Sequence, residues 1–203
     1  YDIARDAFRR HLYREALDYV ERAIGGHQTH TGYSIEHRFH SLLGVIRLGS
    51  YKNNTPDVVN LEKAYVAFQN AARYAMTDYR EDAARALCGA AQAAYCLGKF
   101  DVAEAHAMEA ARLHPELGDA SFQLAKTLMH RDEVERALSA LSWAIRLDPL
   151  YSLKAFDDAD FIKHEGAVRR LVEQMREELE RLCREQIAKS TAFLRFGADG
   201  FNS

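Results

Sequence analysis

Four histidines stand at two HxxH spacings, His27 with His30 and His37 with His40. Residues three apart share a helix face, and two imidazoles so placed can ligate zinc or nickel. No cysteine pair and no HExxH accompanies them, and His40 falls where one helix packs on another. Surface and packing roles therefore account for the set, and no metal is assigned. Asp157, Asp158 and Asp160 read as caps or solvated acids of the turn before the last helix, while Glu173, Glu177 and Glu180 read as the polar face of that helix. Neither group has a matching nucleophile. Cys88 and Cys96 lie eight apart without a histidine placed as their base. Phosphate-cradling glycine loops are absent, so neither a catalytic residue nor a cofactor is expected.

Charge narrows the partners. The formal net charge is −3, and the basic clusters FRRHLYR, VRRL and ERLCRE are interrupted or flanked by acids. Solvated helix faces explain them without nucleic acid. No apolar run reaches the roughly 20 residues that cross a bilayer. Three cysteines without a CxxC spacing read as free thiols of a reducing compartment, so a cytoplasmic location is expected. The chain opens on Tyr1 inside an amphipathic helical pattern, which reads as an excised segment whose first helical pair lacks its first residues.

The elements that position these side chains are set by a repeat. Ala91, Gly98, Phe100, Ala103, Ala110 and Pro115 recur 34 residues later as Ala125, Asp132, Val134, Ala137, Ala144 and Pro149. A period of this length marks a stacked two-helix unit. The small residues let paired helices approach, leaving Tyr95, Phe100, Leu128 and Trp143 to fill the core. In spacing and residue types the stretch resembles the tetratricopeptide repeat (TPR) family. The resemblance implies an all-α fold: a right-handed TPR-like helix-turn-helix superhelix closed by a C-terminal capping helix.

About four units are expected over residues 1–151, the first truncated and the second enlarged. Ala4, Ala16 and Ala23 keep the register in the first; GGHQTHTGYS then ends its second helix, and Ser34 caps the next. In the second unit Gly44 and Ala64 are 20 positions apart against 12 for Ala91 and Ala103, so about eight extra residues near GSYKNNTPDV lengthen a helix or form a protruding loop. The third and fourth units span about Ala84–Leu117 and Gly118–Tyr151. Residues 152–203 form a cap and a long amphipathic helix, with Val168, Leu171, Val172, Met175, Leu179, Leu182, Cys183 and Ile187 near the face that shields the last unit.

The resemblance further implies a groove along the first helix of each unit. Carried over position by position, its partner-facing residues include Arg38, Arg85, Gln92, Tyr95, Phe122, Lys126 and Met129. Cations, amides and aromatic rings suit a protein or peptide with acidic and apolar side chains. The expected work is noncatalytic binding as a scaffold or adaptor domain. Two alternatives remain open: a regulatory or substrate-recruiting module of a larger enzyme, and a homo-oligomerising structural module that pairs through the C-terminal helix rather than capping with it.

Overall fold

The computed structural model describes the backbone of residues 1–31, 36–50 and 53–199, and the side chains of these except 27–31, 192 and 194–199. All regular structure among them is helical: α1 Asp2–Arg9, α2 Tyr13–Thr31, α3 His37–Leu48, α4 Leu61–Ala75, α5 Arg80–Cys96, α6 Phe100–Leu113, α7 Gly118–His130, α8 Val134–Leu147, α9 Leu150–Asp157, α10 Ala159–Ile162 and α11 Glu165–Asp199. Helices pack as the pairs α1/α2, α3/α4, α5/α6 and α7/α8, and each pair rests on the next through α2 on α3, α4 on α5 and α6 on α7. The first helices also touch one another, α3 on α5, α5 on α7 and α7 on α10. This is a helical-repeat, solenoid-like arrangement.

Small residues make the stack possible. Ala91, Ala103, Ala110, Ala125, Ala137 and Ala144 are each fully buried where helices face each other. The turn between paired helices has its own signature: His11, Gly98 and Asp132 all hold a positive φ, of 63°, 73° and 62°. Each stands five residues before the small residue of the second helix, Ala16, Ala103 or Ala137. A left-handed residue turns the chain back after the first helix. Glycine does so freely, whereas His11 and Asp132 pay roughly 1–2 kcal/mol for it. The recurrence of this conformation extends the register to the first pair.

The enlarged second unit accommodates its extra residues in the connection. The helices do not take them up: α3 has 12 residues and α4 has 15, against 17 and 14 in α5 and α6. Residues 53–60 of the connection are folded down onto the helices. Val58 is buried among Ala4, Val20 and Ile46, and the Asn53 side chain donates to the Ile46 carbonyl at 2.9 Å. The buried Arg47 donates to the carbonyls of Asp57 and Val58 at 2.9 and 3.2 Å and pairs with Glu21 of α2 at 2.6 Å. Asn60 then caps α4 by accepting from the Lys63 amide.

Three expectations need correction. α2 continues through Gly25 and Gly26 to Thr31, because glycine weakens a helix by about 1 kcal/mol without ending it, and neither glycine takes the positive φ of a C-terminal cap. Ser34 lies outside the described residues. Trp143, expected in the core, is 52% exposed, its indole N–H donating to the Pro115 carbonyl at 3.1 Å. Finally, α11 shields the last pair only with its first turns. Val168 and Met175 are buried, and Arg146 of α8 meets Glu178 at 3.2 Å. Beyond that point Leu179, Leu182, Ile187 and Phe193 are exposed.

Candidate functional site

Helical spacing puts Phe122, Lys126 and Met129 on one stripe of α7, while Arg85, Gln92 and Tyr95 stand on α5. The row of first helices brings these residues along one face, but that face divides into two halves of different character.

The half built by α5 and α7 is already filled by the chain itself. The Asp158 side chain caps α10 by accepting from the Asp160 amide at 3.1 Å, and this turn delivers two carboxylates and a ring to α7. Lys126 Nζ lies 2.7 Å from Asp158 and 3.4 Å from Asp160, and 5.1 Å from the centre of the Tyr95 ring. The Tyr95 hydroxyl donates to Asp160 Oδ2 at 2.5 Å, and His130 Nδ1 donates to Asp160 Oδ1 at 2.9 Å. Phe161, buried, stacks on Phe122 with ring centres 5.6 Å apart. The Tyr151 ring of α9 also lies 5.3 Å from Phe122, and its hydroxyl donates to Asp119 at 2.6 Å. Met129 is only 2% exposed and belongs to the core beneath the groove, not to its surface.

Electrostatics follow from this geometry. Burial pushes the Asp160 carboxyl up, but hydrogen bonds from Tyr95, His130 and Lys126 outweigh it and hold the group below its ordinary value. Burial likewise works against the Lys126 ammonium, and its bonds to Asp158 and Asp160 reverse the effect and raise it. Burial and the hydrogen bond to Asp160 push the Tyr95 hydroxyl up. A folded-state carboxyl below its unfolded value stabilises above that value and loses the contribution as pH falls through the folded one. The tie of α10 to α7 is therefore expected to hold above the ordinary carboxyl value of 3.8 and to loosen below it. Melting temperature followed through the acid limb checks this: Asp160→Asn flattens the fall, and an unchanged slope contradicts it.

The other half is open. Arg38 is 58% exposed at its side chain and pairs with Glu36 at 2.7 Å, while Arg85, 59% exposed, pairs with Glu81 at 2.5 Å and reaches Asp82 at 3.9 Å. Gln92 is exposed further along α5, one turn before Tyr95. Between α3, α4 and α5 opens a cleft of ≈ 500 Å³ lined by Glu36, His37, Arg38, Tyr74, Asp78, Tyr79 and Asp82. Exposed ion pairs are worth about 0–1 kcal/mol, so a partner carboxylate can replace Glu36 or Glu81 at little cost. Lys126, held by two carboxylates in a half-buried site, is not available on those terms.

His37 and His40 serve packing. His37 is buried, donates from Nε2 to Asp82 at 2.9 Å and lies 4.6 Å from the Tyr79 ring centre. His40 stacks on Tyr74 at 5.3 Å, and burial followed by the nearby Arg73 pushes its pKa down. The side chains of His27 and His30 lie outside the described ones. Cys88, Cys96 and Cys183 are free thiols; burial, with Asp119, pushes Cys88 up to about 12, and burial raises Cys96 despite Lys126. Among the described residues no helix is long and apolar enough to cross a membrane.

Residue by residue, Tyr95, Phe122 and Lys126 are brought together, Arg38 and Arg85 stand on the open half, and Gln92 is exposed on α5 one turn before Tyr95. Sequence reasoning missed Phe161 and His130, and it read Asp158 and Asp160 as caps or solvated acids, a part Asp158 does play for α10, without their bonds to Lys126 and Tyr95. The signal was present, since the acidic and apolar complement expected of a partner is spelled by Asp158-Ala159-Asp160-Phe161 of the same chain.

Fold and site together define an all-α helical-repeat protein with one face partly self-filled. No protein-family model matches the chain. No curated protein matches it either, so the chain is placed by its architecture alone.

Proposed function

We propose that this chain is a TPR-type scaffold that binds a protein or peptide noncatalytically along its row of first helices. What supports the reading is the open half of that face, where Arg38, on the wall of a cleft of ≈ 500 Å³, and Arg85 are each more than half exposed. The 34-residue register and the recurring left-handed turn support the repeat type. Free thiols fit the cytoplasm as its place of work. The partner meets this surface with carboxylates and apolar side chains. Arg38→Ala with Arg85→Ala is expected to weaken a purified partner by about tenfold, the loss of one charged hydrogen bond or two weak ones. Unchanged affinity in calorimetry would sink this placement.

One observation favours a second reading, pairing of two copies through α11. Leu179, Leu182, Ile187 and Phe193 are 58%, 42%, 66% and 80% exposed, on the stretch of α11 beyond Val168 and Met175, which are already buried against the last pair. Sedimentation over a concentration series decides it, a monomer throughout rejecting the pairing.

A further inference from the structure

Residues 158–162 behave as a ligand that the protein carries with it. α10 is four residues long and lies between two anchored helices: Tyr151 and Ala155 of α9 are buried in the core, as is Val168 of α11. What α10 adds is a set of side chains facing α5 and α7. Asp158 and Asp160 meet Lys126, Asp160 also accepts from Tyr95 and His130, and Phe161 stacks on Phe122. If α10 swings away, a half-buried ammonium, a hydroxyl and an imidazole lose their carboxylates, and an aromatic face loses its ring. The exposed site has the complement of one chemical pattern, two carboxylates two residues apart followed directly by an aromatic side chain.

We propose that the α5–α7 end of this face is a binding site for linear peptides of the form acidic-x-acidic-aromatic, and that α10 occupies it in cis until such a peptide displaces it. This rests on the protein-binding reading of the same face and specifies its partner and its control. The incoming peptide restores each bond that α10 gives up, and what exchange costs is the tether and the exposure of Phe161, buried in the core, while α9 and α11 keep their own buried anchors in Tyr151, Ala155 and Val168. The occupant seated in the site supplies the argument for the chemistry: half-buried Lys126 takes two carboxylates within 3.4 Å, and the Phe122 face takes a ring. Competition between the tethered and the free segment sets the threshold, because a tethered segment acts at a high effective concentration.

The test uses the full chain and a fluorescein-labelled synthetic peptide of residues 155–163, AFDDADFIK. Asp158→Asn with Asp160→Asn weakens the tethered occupant while asparagine keeps the cap of α10. Fluorescence anisotropy is expected to show this variant binding the peptide at least about tenfold tighter than the parent chain. Adding Lys126→Ala abolishes the gain, and a peptide carrying both asparagines does not bind. Equal affinity for parent and variant, or no binding by a variant that circular dichroism shows folded, overturns the proposal. Should the variant melt below the assay temperature, hydrogen exchange of residues 158–162 in the parent chain takes its place. Exchange that rises on adding the peptide supports displacement, and exchange that stays unchanged overturns it. Arg38→Ala with Arg85→Ala is run alongside and leaves the peptide affinity unchanged. If a partner is lost with those arginines while the peptide experiment fails, only the α10 proposal falls.

Discussion

Replacing Phe161 with alanine lowers the free energy of unfolding by about 3–5 kcal/mol, the range for deleting a buried aromatic ring. Phe161 is among the largest fully buried side chains and shares a core with Tyr151, Ala155, Val168 and Met175. Its ring is the apolar link between α10 and the stripe of α7. In a stack where each unit contacts only its neighbours, the loss falls on one end. Urea unfolding is therefore expected to separate an early transition of the C-terminal elements from a later one of the first units. Ile162, 60% exposed next door, is the control: its change to alanine stays within about 0.5 kcal/mol. If Phe161→Ala were equally mild, α10 would not be docked as described.

Gly89→Ala carries the second large effect, from overpacking rather than from a cavity. A Cβ at Gly89 would lie 2.6 Å from the Phe68 ring, and one at Gly44 would lie 2.7 Å from it. Phe68 of α4 is thus wedged against the backbones of α3 and α5. The repeat register explains the pairing of sizes, because Ala107 and Leu141 stand where Phe68 does in the next two units. Strain from an added methyl in such a site costs about 1–3 kcal/mol. Phe68→Leu in the Gly89→Ala background is expected to recover part of it, and a double-mutant cycle reads the coupling. Additive effects would show that the two residues do not press on each other. Gly25 and Gly26 make the contrast. A Cβ at either meets nothing within 4 Å, so alanine there stabilises α2 by up to about 1 kcal/mol.

The helical repeat was legible in the sequence because it rests on local chemistry. Ala91, Ala103, Ala125 and Ala137 are small for a reason that a 34-residue period exposes, and each is buried where that period places it. Positions decided by long-range packing were harder to read. Trp143 reads as core by its type and is half-exposed, because its indole N–H reaches the Pro115 carbonyl 28 residues away. Gly25 and Gly26 read as a break, yet no competing conformation at those residues is required to end α2. At the site, the polar stripe on α5 and α7 followed from the register. What filled it did not, because the ion pairs of Lys126 join residues 32 and 34 positions apart, and such a meeting depends on where α9 and α10 turn. Charge matching between a predicted groove and the rest of the chain was the available clue.

The reading of the row of first helices as a binding face is tested most directly by site-specific crosslinking. A photoreactive benzoylphenylalanine is placed either at Gln92, exposed on α5, or at Met108, exposed on α6. With a purified partner present, irradiation is expected to join that partner to the chain from position 92 and not from position 108. Crosslinks from position 108 alone would place the partner on the second helices and contradict the account.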